Sequence, residues 1–237
     1  MPYSALAPEH IVATAERLQR RVEERFPGSG LSGVAAELAS ISRSAGDEAG
    51  LLNRPVWWLR IFVGAIIVGG AGVFFFIGRF LTFDRISSGA FDFVQGIEAV
   101  INTGVLGGIG LITLIRLEER VKRERVLKGL HRLRSLIHII DMHQLTKDPA
   151  AMVEGVKRTS SSPERTMGRP DLLRYLDYCS EMLSLTGKLA ALYAQSVPDM
   201  EVVNAVNDVE NLGANLSRKI WQKMTLLIPQ GGSAPRG

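Results

Sequence analysis

The stretch IFVGAIIVGGAGVFFFI, residues 61–77, decides how this chain is read. It contains no charged residue, and the wider run Val56–Leu81 carries only Arg60 and Arg79, near its ends. At about 1.5 Å per residue such a run reaches across the roughly 30 Å hydrocarbon core of a bilayer. Lipid offers no hydrogen-bond partners, so a segment dissolved in it must satisfy its own backbone as a helix. Trp57 and Trp58 stand where an interfacial aromatic belt is expected, and Arg60 and Arg79 are long enough to reach the headgroups. The prediction is a transmembrane helix over 55–81.

A second uncharged run, AVINTGVLGGIGLITLI (99–115), follows a short polar segment. It is shorter and richer in glycine, and a dense basic cluster closes it, as a cytoplasmic stop would. A second span over 97–116 is expected, joined to the first by a short external loop at 82–96. The two spans set the fold class: an all-α membrane protein with a two-helix transmembrane hairpin and a helical bundle outside the lipid.

The distribution of Lys and Arg gives the orientation. Arg43, Arg54 and Arg60 precede the first span. Arg116, Arg120, Lys122, Arg123, Arg125 and Lys128 follow the second. The connecting segment has only Arg79 and Arg85, next to Asp84, Asp92 and Glu98. Both termini are therefore expected in the cytoplasm, which in a bacterium means the inner membrane. The segment Met1–Pro8 lacks a basic stretch leading into an apolar one, so no signal peptide is expected.

Composition bounds the rest. Of 237 residues, 46% are hydrophobic and the net charge is +4, most of it in the cluster after residue 115. Cys179 is the single cysteine, which excludes an intrachain disulfide and a thiolate metal cluster and fits a reducing compartment.

Outside the spans the periodicity is helical. Ile11, Ala15, Leu18 and Val22 share one face, Pro27-Gly28-Ser29-Gly30 interrupts, and Leu31, Val34, Leu38 and Ile41 mark a second helix fading into a polar connector at Ser42–Gly50. These N-terminal amphipathic helices (1–52) each need a partner surface: the rest of the chain, another subunit or the bilayer. After the second span no breaker appears before Asp148-Pro149 except the isolated Gly129, so the helix should continue as a stalk over 117–146. Its seam of Val126, Leu130, Leu133, Ile137 and Ile140 has heptad spacing and should pack at a shallow angle. A mobile connector is expected at 147–169, a helical hairpin at 170–228 opened by Pro170 and jointed at Val197-Pro198, and a disordered tail at 229–237. Stalk and hairpin together should form a three-helix bundle.

Small residues in both spans, Gly64, Ala65, Gly69 and Gly72 in the first and Gly104 and Gly108 in the second, allow close helix approach in lipid. The basic cluster Arg116, Arg120, Lys122, Arg123, Arg125 and Lys128 is suited to anionic headgroups, each cation near that surface contributing about 1 kcal/mol. It lacks the interleaved aromatics of a nucleic-acid site, so no nucleic acid is expected. Asn102 and Thr103 are the polar residues available to line a pore. His131, His138 and Asp141 share a stripe, the only candidate set for metal, while His143 points about 140° away from His138. No phosphate loop, dinucleotide fingerprint, zinc-protease or nucleophile-elbow motif is present. The expectation is a non-enzymatic, cofactor-free membrane scaffold or accessory subunit that binds itself or a larger membrane complex. The alternatives are a homo-oligomeric pore and a metal- or pH-responsive sensor.

Overall fold

A computed structural model describes residues 6–52, 57–80, 90–147, 149, 160–162 and 167–227, with only some of the side chains between 49 and 118. The described residues form six α-helices: α1 (Pro8–Arg25), α2 (Gly30–Leu52), α3 (Trp57–Phe80), α4 (Ala90–Leu145), α5 (Arg169–Ser196) and α6 (Met200–Leu227). The all-α class is thus established. The chain divides into two compact units, one made of residues 1–53 together with 125–237, the other of residues 54–124.

The first unit is a helical bundle with one continuous apolar core. In α1, Pro8 occupies the first turn, where its missing N–H costs nothing, and Ile11, Ala15, Leu18 and Val22 form the buried face. The helix ends at Phe26, and the turn to α2 runs through Gly28 at φ +63°, a left-handed conformation that glycine adopts without a Cβ penalty. From Val126 onward α4 contributes Leu130, Leu133, Leu136, Ile137 and Ile140, all nearly fully buried. The α5–α6 hairpin supplies the rest: Leu172, Leu176, Met182 and Leu189 from α5, Val202, Val209, Leu216 and Ile220 from α6.

Two findings depart from the sequence reading. The polar segment Ser42–Gly50 is helical, as α2 continues to Leu52. Its hydroxyls are turned inward on the helix: Ser42 donates to the Leu38 carbonyl at 2.8 Å and Ser44 to that of Ser40 at 3.2 Å. Hydroxyls satisfied in this way do not divert the backbone into a turn, and Ala45 is buried beneath them. The bundle also has more than three members, because α1 and α2 belong to the same core as α4, α5 and α6. Their partner surface is the rest of the chain.

Side-chain pairs fix the directions. Leu6 N–H donates to Gln195, Tyr178 Oη donates to the Arg21 carbonyl, and Arg25 pairs with Asp171, so α1 and α5 are antiparallel. Phe26 fills the lower end of this contact, edge-on to Tyr175 and Tyr178 at 5.6 and 6.3 Å between ring centroids. Arg132 lies 3.9 Å from Glu37, and a Cβ on Gly30 would collide with the His143 ring, so α2 runs antiparallel to α4. The surface ion pairs Arg21–Glu181 and Arg43–Glu16 select this register and add little stability, about 0–1 kcal/mol each.

The second unit consists of α3 and the first part of α4. It begins its second helix at Ala90, inside the segment expected as an external loop; residues 81–89 lie outside the described part. Among the described residues no helix is long and apolar enough to cross a membrane. The expectation of two membrane spans thus has no support from the described helices. The connector at 147–169 is described only at 147, 149, 160–162 and 167–169, and the tail at 229–237 not at all.

Candidate functional site

The helix that carries most of the expected site residues is α4, and its two faces behave differently. Val126, Leu130, Leu133, Ile137, Ile140 and Gln144 point into the core, while Lys128, His131, Ser135, His138 and Met142 form the outward ridge. Grooves flank this ridge. One, of about 330 Å³, lies between α4 and α6 and is floored by Leu127, Leu130, Ala205 and Val209. The other, of about 460 Å³, lies between α2 and α4, with Ile41, Leu136 and Ile139 on its floor. Lys128 and His131 line both.

The residues of the expected His/Asp stripe do not converge. His131 and His138 are exposed on the ridge. Asp141 faces inward enough to accept a hydrogen bond from Gln144 Nε2 at 2.6 Å. His143 packs over Gly30, and its carbonyl accepts the Tyr175 hydroxyl at 3.5 Å. Among the described residues no group of three or more His, Cys, Asp and Glu side chains comes together as a metal site would require.

Sequence reasoning missed the polar linkage at this end of the bundle. Gln144, only 2% exposed, accepts from Lys223 Nζ through Oε1 at 2.6 Å and through its backbone carbonyl at 3.2 Å. With its amide donated to Asp141, one buried side chain joins a carboxylate on its own helix to an ammonium on α6. No local signal could have found it, since the partners are 79 residues apart. Cys179 lies on α5 within reach of the Lys223 charge, yet burial dominates and pushes its thiol up to about 12. A thiol held protonated and enclosed is a packing residue, not a nucleophile.

The basic cluster is laid out along α4. Arg116, Arg120, Arg125 and Lys128 are exposed, Lys122 and Arg123 half-buried, and Arg120 pairs with Glu124 one turn on at 3.3 Å. A Cβ added at Gly64, Gly69, Gly72, Gly104 or Gly108 would meet nothing within 4 Å, and Ala65 is exposed. These small-residue surfaces have no neighbour among the described residues. The Asn102 and Thr103 side chains lie outside the described part.

No protein-family description, no curated protein and no solved structure matches this chain.

Proposed function

We propose that this chain is a non-enzymatic membrane anchor and scaffold: a hairpin of two apolar helices holds a cytoplasmic helical bundle at the inner face of a membrane, where the bundle assembles with copies of itself or with a larger membrane complex. The observation that carries this reading is the discontinuity of the bundle. Residues 1–53 and 125–237 share one core, so whatever the intervening chain enters, it must leave on the same side. An even number of crossings satisfies that condition and a single crossing does not.

The side chains of the intervening unit point the same way. Ile61, Phe62, Ile66, Val68, Val73, Phe76, Ile101, Val105, Ile109 and Ile112 are all about half exposed or more. Giving such side chains apolar surroundings is worth about 1.5–3 kcal/mol each when burial is complete. For the group, even after allowing for partial burial, the sum is on the order of 10 kcal/mol, comparable with the whole stability of a small domain. Apolar surface on this scale calls for cover, and a bilayer covers all sides of a helix at once. The cations from Arg116 to Lys128 then mark the cytoplasmic boundary and contact anionic headgroups.

The test is fractionation with topology mapping. The chain is expected to stay with membranes through alkaline carbonate and to require detergent for release. Reporters fused at either end are expected to report the cytoplasm. Release by carbonate, or reporters on opposite sides, would sink the reading.

A further inference from the structure

We infer that the groove between α4 and α6 is the contact surface for a second copy of this chain, related to the first by a two-fold axis running along the helices. The groove has an apolar floor (Leu127, Leu130, Ala205 and Val209) and two charged rims of opposite sign. The α4 rim is basic through Lys128 and Arg134, with His131 between them. The α6 rim presents Asp208. Among the described residues no ion pair engages Lys128, Arg134 or Asp208, although they border the same groove. The groove between α2 and α4 differs in this respect, because its one acid, Glu37, is already paired with Arg132.

Opposite charges on opposite rims make the surface complementary to itself. A two-fold rotation about an axis lying in the groove sets the α4 rim of each copy over the α6 rim of the other, so that each basic rim meets the partner's carboxylate and the two floors close on one another. Register favours the same geometry. Ile137 packs at Gly213 and Lys223 binds Gln144, so α4 and α6 run parallel, and Asp208 stands level with the turn around His131. A rotation about an axis along the helices preserves that level in the partner. The direction of the axis rests on the membrane reading: two copies anchored in one bilayer must have their α4 helices pointing the same way, and an axis across the helices would invert one of them. An acidic helix of another protein would meet the basic rim equally well but would leave Asp208 facing like charge, which favours the second copy.

The test uses the full chain in membranes. Two differently tagged versions, one carrying His131→Cys and the other Asp208→Cys, are co-expressed and treated with a short bismaleimide. The expected product is a mixed-tag covalent dimer, formed in much higher yield than either same-tag dimer. In detergent, Asp208→Lys is expected to weaken dimerisation at least tenfold by sedimentation, and adding Arg134→Glu to the same chain is expected to restore most of it. Three results would overturn the inference: a folded, membrane-bound monomer at all concentrations; same-tag products alone; or a crosslinked species whose mass fits a different protein. Loss of membrane association would count against the anchor reading instead, while the 131-to-208 crosslink would still report whether the two copies meet through this groove.

Discussion

A Cβ placed on Gly129 would lie 2.5 Å from Oη of Tyr193. Glycine lets α5 bring this tyrosine flush against the α4 backbone, where its hydroxyl donates to Glu48 Oε2 at 3.1 Å and ties in the end of α2. Three helices meet at one atom-scale clearance. Gly129→Ala would gain about 0.8–1 kcal/mol of helix propensity at an exposed site. Here the collision decides the sign: overpacking of this kind costs about 1–3 kcal/mol, and the ring cannot retreat without breaking its bond to Glu48. The variant is expected to melt below the parent chain in thermal denaturation, and a rise in melting temperature would refute the account.

Lys223 and Gln144 should behave as a coupled pair. Lys223→Met leaves the buried Gln144 Oε1 without its donor, while the backbone carbonyl keeps the Lys147 N–H, at a cost of about 1–3 kcal/mol. In a Gln144→Leu background the same lysine substitution is expected to cost markedly less. Denaturant unfolding of the four chains gives the coupling energy, and simple additivity would show the linkage to be inert.

Stability should fall in alkali, earlier than lysine deprotonation alone would bring. Burial holds the Cys179 thiol up to about 12 against an ordinary 9.0, and raises the phenols of Tyr175 and Tyr193 well above their ordinary 10.0. The folded state thus keeps protons that the unfolded state releases. This contribution is fully present below about pH 9 and is lost as pH climbs toward the folded values, by up to about 1.4 kcal/mol per pH unit for each group engaged. Melting temperatures measured from pH 8 to 11 are expected to drop, and the drop should shrink in Tyr193→Phe relative to its own value at pH 8. A flat profile would contradict it.

Cys179 should resist alkylation in the native chain. At pH 8 iodoacetamide is expected to leave it unmodified for as long as the bundle stays closed, and to label it completely in denaturant. Mass spectrometry of the intact chain reads both states, and rapid native labelling would place the thiol outside the core.

Much of the bundle is legible in the order of residues. The four-and-three steps of Ile11 to Val22, Val126 to Ile140 and Val202 to Leu227 mark buried faces, and those faces are the ones the structure buries. What they do not carry is the identity of the partner. An apolar stripe on α1 specifies burial but not burial against α5, and that choice depends on pairs such as Arg25 with Asp171, separated by 146 residues. Ser42–Gly50 reads as a connector because serine and glycine favour turns in isolation, and only the Ser42–Leu38 hydrogen bond reveals that the helix has absorbed them. Gly129 looks like a blemish in a stalk until Tyr193 is placed over it. The α4–α6 groove is likewise invisible in one dimension, since Arg134 and Asp208 border the same groove only when α6 packs against α4.

The interrupted core also sets an order of events during synthesis. When α2 leaves the ribosome it can pack against α1, but the α5 surface that completes the burial of both lies beyond Glu124. At about 5–20 residues per second, α5 is complete only on the order of ten seconds later. The apolar chain of residues 57–115 emerges within that interval, so it must be accommodated before the bundle can shut. The N-terminal helices therefore act as a waiting half-site, and the bundle closes only after the segment between its two halves has been made.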